Sequence, residues 1–141
     1  MTNILGIDLG EKRIGLAIGS VEAKLSRPLE VFSHRSRRDD IDHISHVIKS
    51  HEISRIVIGI SFQEDGSPNS MGRHALSFGK DIEKDSGLPV EYCDEALSTR
   101  EAKDNALHSG ISKKHRQGHL DAVAAAVILQ SYFDKLPTGY T

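Results

Sequence analysis

Cysteine occurs once, at Cys93, and tryptophan not at all. A lone thiol excludes an internal disulfide framework and a cysteine-based zinc centre, and it suits a reducing compartment. The seven aromatic residues are all Phe or Tyr, too few to make base stacking the expected grip on a nucleic acid. No apolar run approaches the ~20 residues that span a bilayer. The N-terminal apolar stretch is interrupted by Asp8 and follows no basic segment, so it does not read as a secretory leader. Neither sign of charge dominates: 18 basic residues stand against 20 acidic ones, a net charge of −2 with histidine neutral. That balance argues against a polycation that coats nucleic acid by charge alone, but leaves room for a local basic face. The expectation is a cytoplasmic globular protein with no membrane partner. At 141 residues it has the size of one domain, expected over residues 1–136 with a frayed tail at 137–141.

The hydrophobic pattern is an ordered one. Residues 4–10 and 13–19 read as two strands joined by a tight polar turn at Glu11 and Lys12, hence an antiparallel hairpin. A third strand is expected at 29–32, after a turn at Ser26, Arg27 and Pro28. From 39 to 52 the apolar residues Ile41, Ile44, Val47 and Ile48 take helical spacing. Residues 55–60 form a nearly continuous β-branched run, which suits a strand buried on both faces. A polar loop over 63–69, a helix over 70–84 and a strand over 90–95 follow. Ser98 and Glu101 fit a capping box that opens a helix ending at Gly110. A last helix is expected over 119–135, apolar almost all round from Ala122 to Leu129 and therefore buried against a sheet. The order β-β-β-α-β-α-β-α-α predicts an α/β fold with a mixed five-stranded sheet. A three-strand antiparallel meander and two parallel strands would be flanked by helices.

Acidic residues stand where open sheets place their ligands, beyond the carboxyl ends of strands. Asp8 ends the first strand, Asp94 and Glu95 end the last, and Asp121 is expected in the first turn of the apolar helix. Asp94 and Glu95 point to opposite faces if the strand continues, so one of the two reaches the site and the other stands behind it. Converging carboxylates repel unless a cation neutralises them. Oxygen-only donors favour Mg²⁺ or Mn²⁺. Such a cluster suits phosphodiester hydrolysis by two ions roughly 3.5–4 Å apart, one activating water and one stabilising the departing 3′ oxygen. Each acid also has a plain structural reading: Asp8 as a turn former before Gly10, Asp121 as a helix-terminus charge.

The dense basic clusters are His34 to Arg38, with Arg35, Arg37 and Arg38, and Lys113 to Arg116, with Lys113, Lys114 and Arg116. Both are expected in loops flanking helices, where they either contact phosphates without reading sequence or are simply solvated. Lys12 and Arg13 stand close to Asp8. The histidines are scattered: His43 and His46 belong to a polar helix face. His119 precedes Asp121 at a spacing that helical geometry does not align, which argues against a proton-shuttle role. Cys93 reads as a small buried strand residue.

Residues 6–17, Gly-Ile-Asp-Leu-Gly-Glu-Lys-Arg-Ile-Gly-Leu-Ala, resemble the opening motif of the YqgF/RuvX family of Holliday junction resolvases. Residues 94–102, Asp-Glu-Ala-Leu-Ser-Thr-Arg-Glu-Ala, resemble its second motif, and residues 119–130 its C-terminal helix. Together they span almost the whole chain in family order. The resemblance implies an RNase H-like fold and a nuclease, in maturation of the 16S rRNA precursor 5′ end or in cleavage of Holliday junctions. It carries the metal-binding acids onto Asp8, Glu95 and Asp121. The chain departs from the family at Gly19-Ser20 in place of Ser-Asp, at Gly59-Ile60-Ser61 in place of Gly-Leu-Pro, and at Ala96 in place of an arginine. Arg100, one helical turn further on, or Arg13 would have to compensate for that arginine.

The leading expectation is therefore a metal-dependent nuclease acting on structured RNA or branched DNA, as a monomer or weak homodimer. The alternative is a non-catalytic nucleic-acid-binding module on the same fold. An actin-like ATPase, which also begins with Asp-Leu-Gly before a hairpin, needs a second lobe that this chain length does not allow.

Overall fold

The computed structural model describes residues 2–63, 65–94 and 113–136, the last segment with side chains from residue 122 onward. Five strands form one sheet: β1 (Asn3–Leu9), β2 (Arg13–Ser20), β3 (Leu25–Ser33), β4 (Ile53–Ile60) and β5 (Val90–Asp94). Their spatial order is β3-β2-β1-β4-β5. β1, β2 and β3 pair antiparallel, whereas β4 runs parallel to β1 and β5 parallel to β4. The helices are α1 (Arg37–Ser50), α2 (Ser70–Ser86) and α3 (Lys113–Asp134). This is the mixed sheet the sequence predicts. The helix expected from Ser98 to Gly110 and the tail at 137–141 lie outside the described residues.

Period-two alternation divides β1 between two cores. Leu5, Ile7 and Leu9 face α1 and α2, packing with Ile14, Leu16, Ile56 and Ile58 of the sheet and Ile44, Phe78 and Ile82 of the helices. Ile4 faces the other way, with Ala17, Val57 and Cys93, onto Ala125, Ile128, Leu129 and Phe133 of α3. The continuous apolar run of β4 follows from this: Ile56 to Ile60 are buried from both sides.

The α3 face of the sheet is built from small residues, and that lets the helix come close. A Cβ on Gly6 would lie 3.0 Å from Cβ of Leu129 and 3.1 Å from the Ala125 carbonyl oxygen. A Cβ on Gly19 would lie 2.6 Å from the Phe133 ring. Gly19 pairs with Ile4, so Phe133 sits toward the start of β1 while Ala125 sits over its middle. α3 therefore runs antiparallel to β1, with its N-terminal end toward the carboxyl end of the strand.

Three expectations are corrected. β3 starts at Leu25 rather than 29, and the turn lies before it, where Lys24 takes a φ of 54°. Pro28 is inside the strand: among the described residues β3 pairs on one side only, and its register shifts between Leu16 and Ala17, opposite Glu30 and Pro28. A proline without an N–H is tolerated at such an edge and bulge. α1 starts at Arg37, capped by Ser36, whose Oγ accepts from the Asp39 backbone N–H at 3.1 Å. α3 starts at Lys113, six residues before the expected 119. It runs through Gly118, a residue that costs a helix interior about 1 kcal/mol relative to alanine. Its polar first turns carry no apolar period to read.

Gly19→Ala is expected to destabilise the fold by about 1–3 kcal/mol, because the new methyl would meet the Leu25 carbonyl oxygen at 2.4 Å as well as Phe133. Urea unfolding followed by circular dichroism checks this.

Candidate functional site

Asp8 is the second-to-last residue of β1 and only 8% exposed. It pairs across the ladder with Gly15 and shares its face with Ile4 and Gly6, so it stands on the α3 side of the sheet. Its Oδ1 is buried and receives no hydrogen bond, while the residue makes other contacts. Two residues back, Gly6 lies against Ala125. Position 121 is one helical turn N-terminal to Ala125, on the same helix face. Two strand residues advance about 6.6 Å and four helix residues about 6 Å, in the same direction here because α3 is antiparallel to β1. Because Leu129 also lies against Gly6, the backbone brings position 121 to the carboxyl end of β1, within about one helical turn of the level of Asp8. The longer α3 also removes Asp121 from the first turn, where it was expected, and with it the reading of that acid as a helix-terminus charge.

The two acids after β5 separate by face. Cys93 is buried in the α3-side core, as the sequence predicts. Tyr92 lies on the other side: its hydroxyl sits where a Cβ on Gly79 of α2 would fall. Asp94 pairs with Ile60 and alternates with Cys93, so it is exposed on the α2 side, away from Asp8. Glu95 and Arg100 lie outside the described residues. Among the described residues, no three His, Cys, Asp or Glu side chains gather to hold a metal ion.

The β1–β2 turn carries Lys12 and Arg13, and Arg35 is tied to it. The His34 backbone N–H donates to the Lys12 carbonyl at 2.8 Å, and Gly10 donates to the Arg13 carbonyl at 2.9 Å. Buried Asp40, in the first turn of α1, holds the same segment: it accepts from His34 Nδ1 and from the Arg35 backbone N–H at 3.1 Å. Lys12 and Arg35 are exposed there. Arg37 and Arg38 stand in α1 rather than in a loop, and carboxylates engage both. Arg37 Nη1 donates to Asp81 at 2.6 Å and its guanidinium lies 5.1 Å from the Phe78 ring centroid, while Arg38 pairs with Asp42. Positions 113, 114 and 116 likewise open a helix, α3, at the end that faces the carboxyl edge of β1. His43 is half-buried, donating to Glu30 at 2.8 Å, with its ring tilted 46° against that of Phe32 at 4.3 Å between centroids.

Sequence reasoning passed over two features of this edge. Phe62, after β4, is 41% exposed in a loop closed by a bridge between Phe62 and Pro68. A single large apolar residue in a polar loop was its only signal. The second is a cavity of about 290 Å³ on the α1 and α2 side, lined by Leu9, Gly10 and Glu11 and by His34 and His74. Its residues come from three separate segments, 9–14, 34–40 and 70–78, and nothing local in the sequence joins them.

A mixed sheet of this order, flanked by helices, with a buried carboxylate at the end of its central strand, is an RNase H-like fold. Solved structures of similar fold include Thermus thermophilus RuvC in complex with Holliday junction substrate, at a TM-score of 0.61 and 19% identity over 95% of this chain and 94% of that one. The fowlpox virus Holliday junction resolvase gives a TM-score of 0.57 at 15% identity, over 96% and 100%. Residues 2–135 match the family model described as RuvX, Holliday junction resolvase, and the chain belongs to that nuclease family. A relative from Anaeromyxobacter sp. (strain Fw109-5), named "Putative pre-16S rRNA nuclease", is 40% identical over 130 residues, which covers 92% of this chain and 95% of the relative.

His74 offers a direct check on the electrostatics of this edge. Burial, then the nearby Arg37 guanidinium and His34, hold its pKa below the ordinary 6.5, against a smaller opposing pull from Asp40. The folded state thus binds this proton less readily than the unfolded chain. His74's contribution to stability is fully present above the ordinary value and is lost as pH falls from there through the lowered one. Arg37→Gln is expected to raise the His74 pKa toward 6.5, as read by NMR titration of the imidazole Cε1 proton.

Proposed function

We propose that this chain is a divalent-metal-dependent nuclease that hydrolyses phosphodiester bonds in the 5′ end of the 16S rRNA precursor. Asp8, Glu95 and Asp121 would be its metal-holding catalytic acids. The observation that carries the reading is that buried Asp8 and position 121 stand at the same end of β1 on the same side of the sheet, given the contact of α3 with Gly6. Asp94 is the less suited of the two neighbouring acids, because it stands on the α2 side of the sheet and Asp8 on the α3 side. The donor set fits a hard cation: carboxylate oxygens with no competing thiol or imidazole assigned to it, which suits Mg²⁺ or Mn²⁺. One or two such ions, when bound, would supply a nucleophilic water at neutral pH and neutralise charge on the departing 3′ oxygen.

The chain's own residues supply the rest. Lys12, Arg13 and Arg35, on and beside the β1–β2 turn, would hold the phosphate backbone next to Asp8, joined by Lys113, Lys114 and Arg116 from α3 and by Arg100. These contacts position the strand without reading its sequence. Arg37 and Arg38 contribute less, because carboxylates already engage them. The RNA substrate is favoured by the name that curated relatives at 35–40% identity carry. Cleavage of branched DNA is the second reading, supported by junction-bound neighbours of the same fold. It requires a two-fold dimer to cut two symmetric strands.

Asp8→Asn is expected to lower Mg²⁺-dependent cleavage at least about a hundredfold, since even the residues that merely support metal ligands cost 10–100-fold in affinity or activity when changed. Its circular dichroism should match the parent. Unchanged cleavage would remove Asp8 from the site. Absence of any Mg²⁺ or Mn²⁺ heat by calorimetry, with nucleic-acid binding retained, would favour the non-catalytic module. A panel of precursor-like RNA, RNA–DNA hybrid and four-way junction, with sedimentation of the protein alone, separates the substrates: RNA is expected to be cut by a monomer. Nucleic-acid affinity should fall steeply with salt, and Lys12→Ala should reduce that slope by about one.

A further inference from the structure

Strand alternation places Asp8 on one face of β1 and its neighbour Leu9 on the other, where Leu9 lines the cavity of about 290 Å³. The cavity therefore opens at the same carboxyl edge as the proposed metal site, one strand thickness away. Ile14, Met71 and Phe78 give it apolar walls, and Glu11, His34 and His74 give it polar groups. Its volume is at the lower end of the range for small-molecule sites, about 300–1,000 Å³, and leaves room for one planar ring system. Glu11 and Asp40 both line it, and two carboxylates disfavour a phosphate as occupant. Proteins hold unstacked bases by their faces on aromatic side chains, histidine among them, and by hydrogen bonds to their edges.

We propose that this cavity is a base-recognition pocket, which takes one unstacked base of the substrate strand bearing an exocyclic amino group, next to the phosphate held at Asp8. The assignment rests on the nuclease reading above for its biological meaning, but the binding itself does not depend on catalysis. Glu11 is the specificity-determining residue. An ionised carboxylate only accepts hydrogen bonds. It therefore favours guanine, adenine or cytosine, whose amino groups donate, over uracil, which has none. His74, whose pKa is held below the ordinary 6.5, faces Arg37 Nη2 with Nδ1 at 3.5 Å, which leaves Nε2–H to donate to a ring edge. The apolar walls hold the base by its faces.

The test uses metal-free protein, so that failure of the catalytic reading leaves it intact. Guanosine, adenosine, cytidine and uridine are titrated separately while the ring resonances of His34 and His74 are followed by NMR. The amino-bearing nucleosides are expected to shift both histidines saturably, with uridine weaker by roughly fivefold, the value of one net hydrogen bond. The same shifts are expected in Asp8→Asn. Met71→Trp, which fills the cavity, should abolish them. Glu11→Gln, at an exposed turn where folding is safe, should erase the preference against uridine. Equal affinity for all four nucleosides would overturn the proposal, as would shifts that survive Met71→Trp in a folded protein. Identical shifts with ribose 5-phosphate alone would also overturn it, in favour of an anion site.

Discussion

The contact between α3 and the small-residue face of the sheet fixes most of what matters here. Gly6 and Gly19 have no side chain, and Ala17 has little, so the helix backbone at Ala125 rests almost on the strand backbone. Apolar burial pulls the two layers together, but the absent Cβ atoms set how near they come and at what height along β1. A helix shifted by one turn along the sheet would move position 121 by about 5.4 Å relative to Asp8. Gly6 therefore helps set where position 121 stands along β1.

The sheet was legible in the sequence because its two faces have different partners. β1 and β4 are buried on both sides and read as apolar runs, and the apolar spacing of α1 at Ile41, Ile44 and Val47 announced a helix on one of those sides. The errors fell where side-chain pattern carries no information. Pro28 looked like a turn because proline removes a backbone donor, and only the edge position of β3 shows that the donor is not needed. The first turns of α3 are polar and contain Gly118, so neither periodicity nor propensity marks them. Their helical state moved the basic residues at 113, 114 and 116 out of a loop.

The candidate site was half legible. Asp8 and Asp121 stood out as acids in apolar surroundings, and the choice between Asp94 and Glu95 was left open on residue grounds. Cross-strand register gives the missing parity: Asp94 pairs with Ile60 on the α2 side, whereas Gly59 and Cys93 share the side of Asp8. The basic residues illustrate the opposite case. Arg35, Arg37 and Arg38 look equivalent as a run, yet Asp81 and Asp42 engage two of them and leave the segment near Lys12 to Arg35. A charge run does not tell how its members divide between holding helices together and meeting a phosphate.

The proline in β3 bears on assembly as well as on strand length. An outer strand of nine residues, Leu25–Ser33, is long enough to recruit a second sheet through its free backbone groups. Pro28 deletes one donor from the middle of that row, and the register shift beside it bends the row out of line. Two copies of this molecule are thereby discouraged from zipping along β3 into a continuous ten-stranded sheet. A pair built to cut two strands of a junction would have to meet through helices or loops instead, with its two cleavage edges set by those contacts and not by a shared sheet.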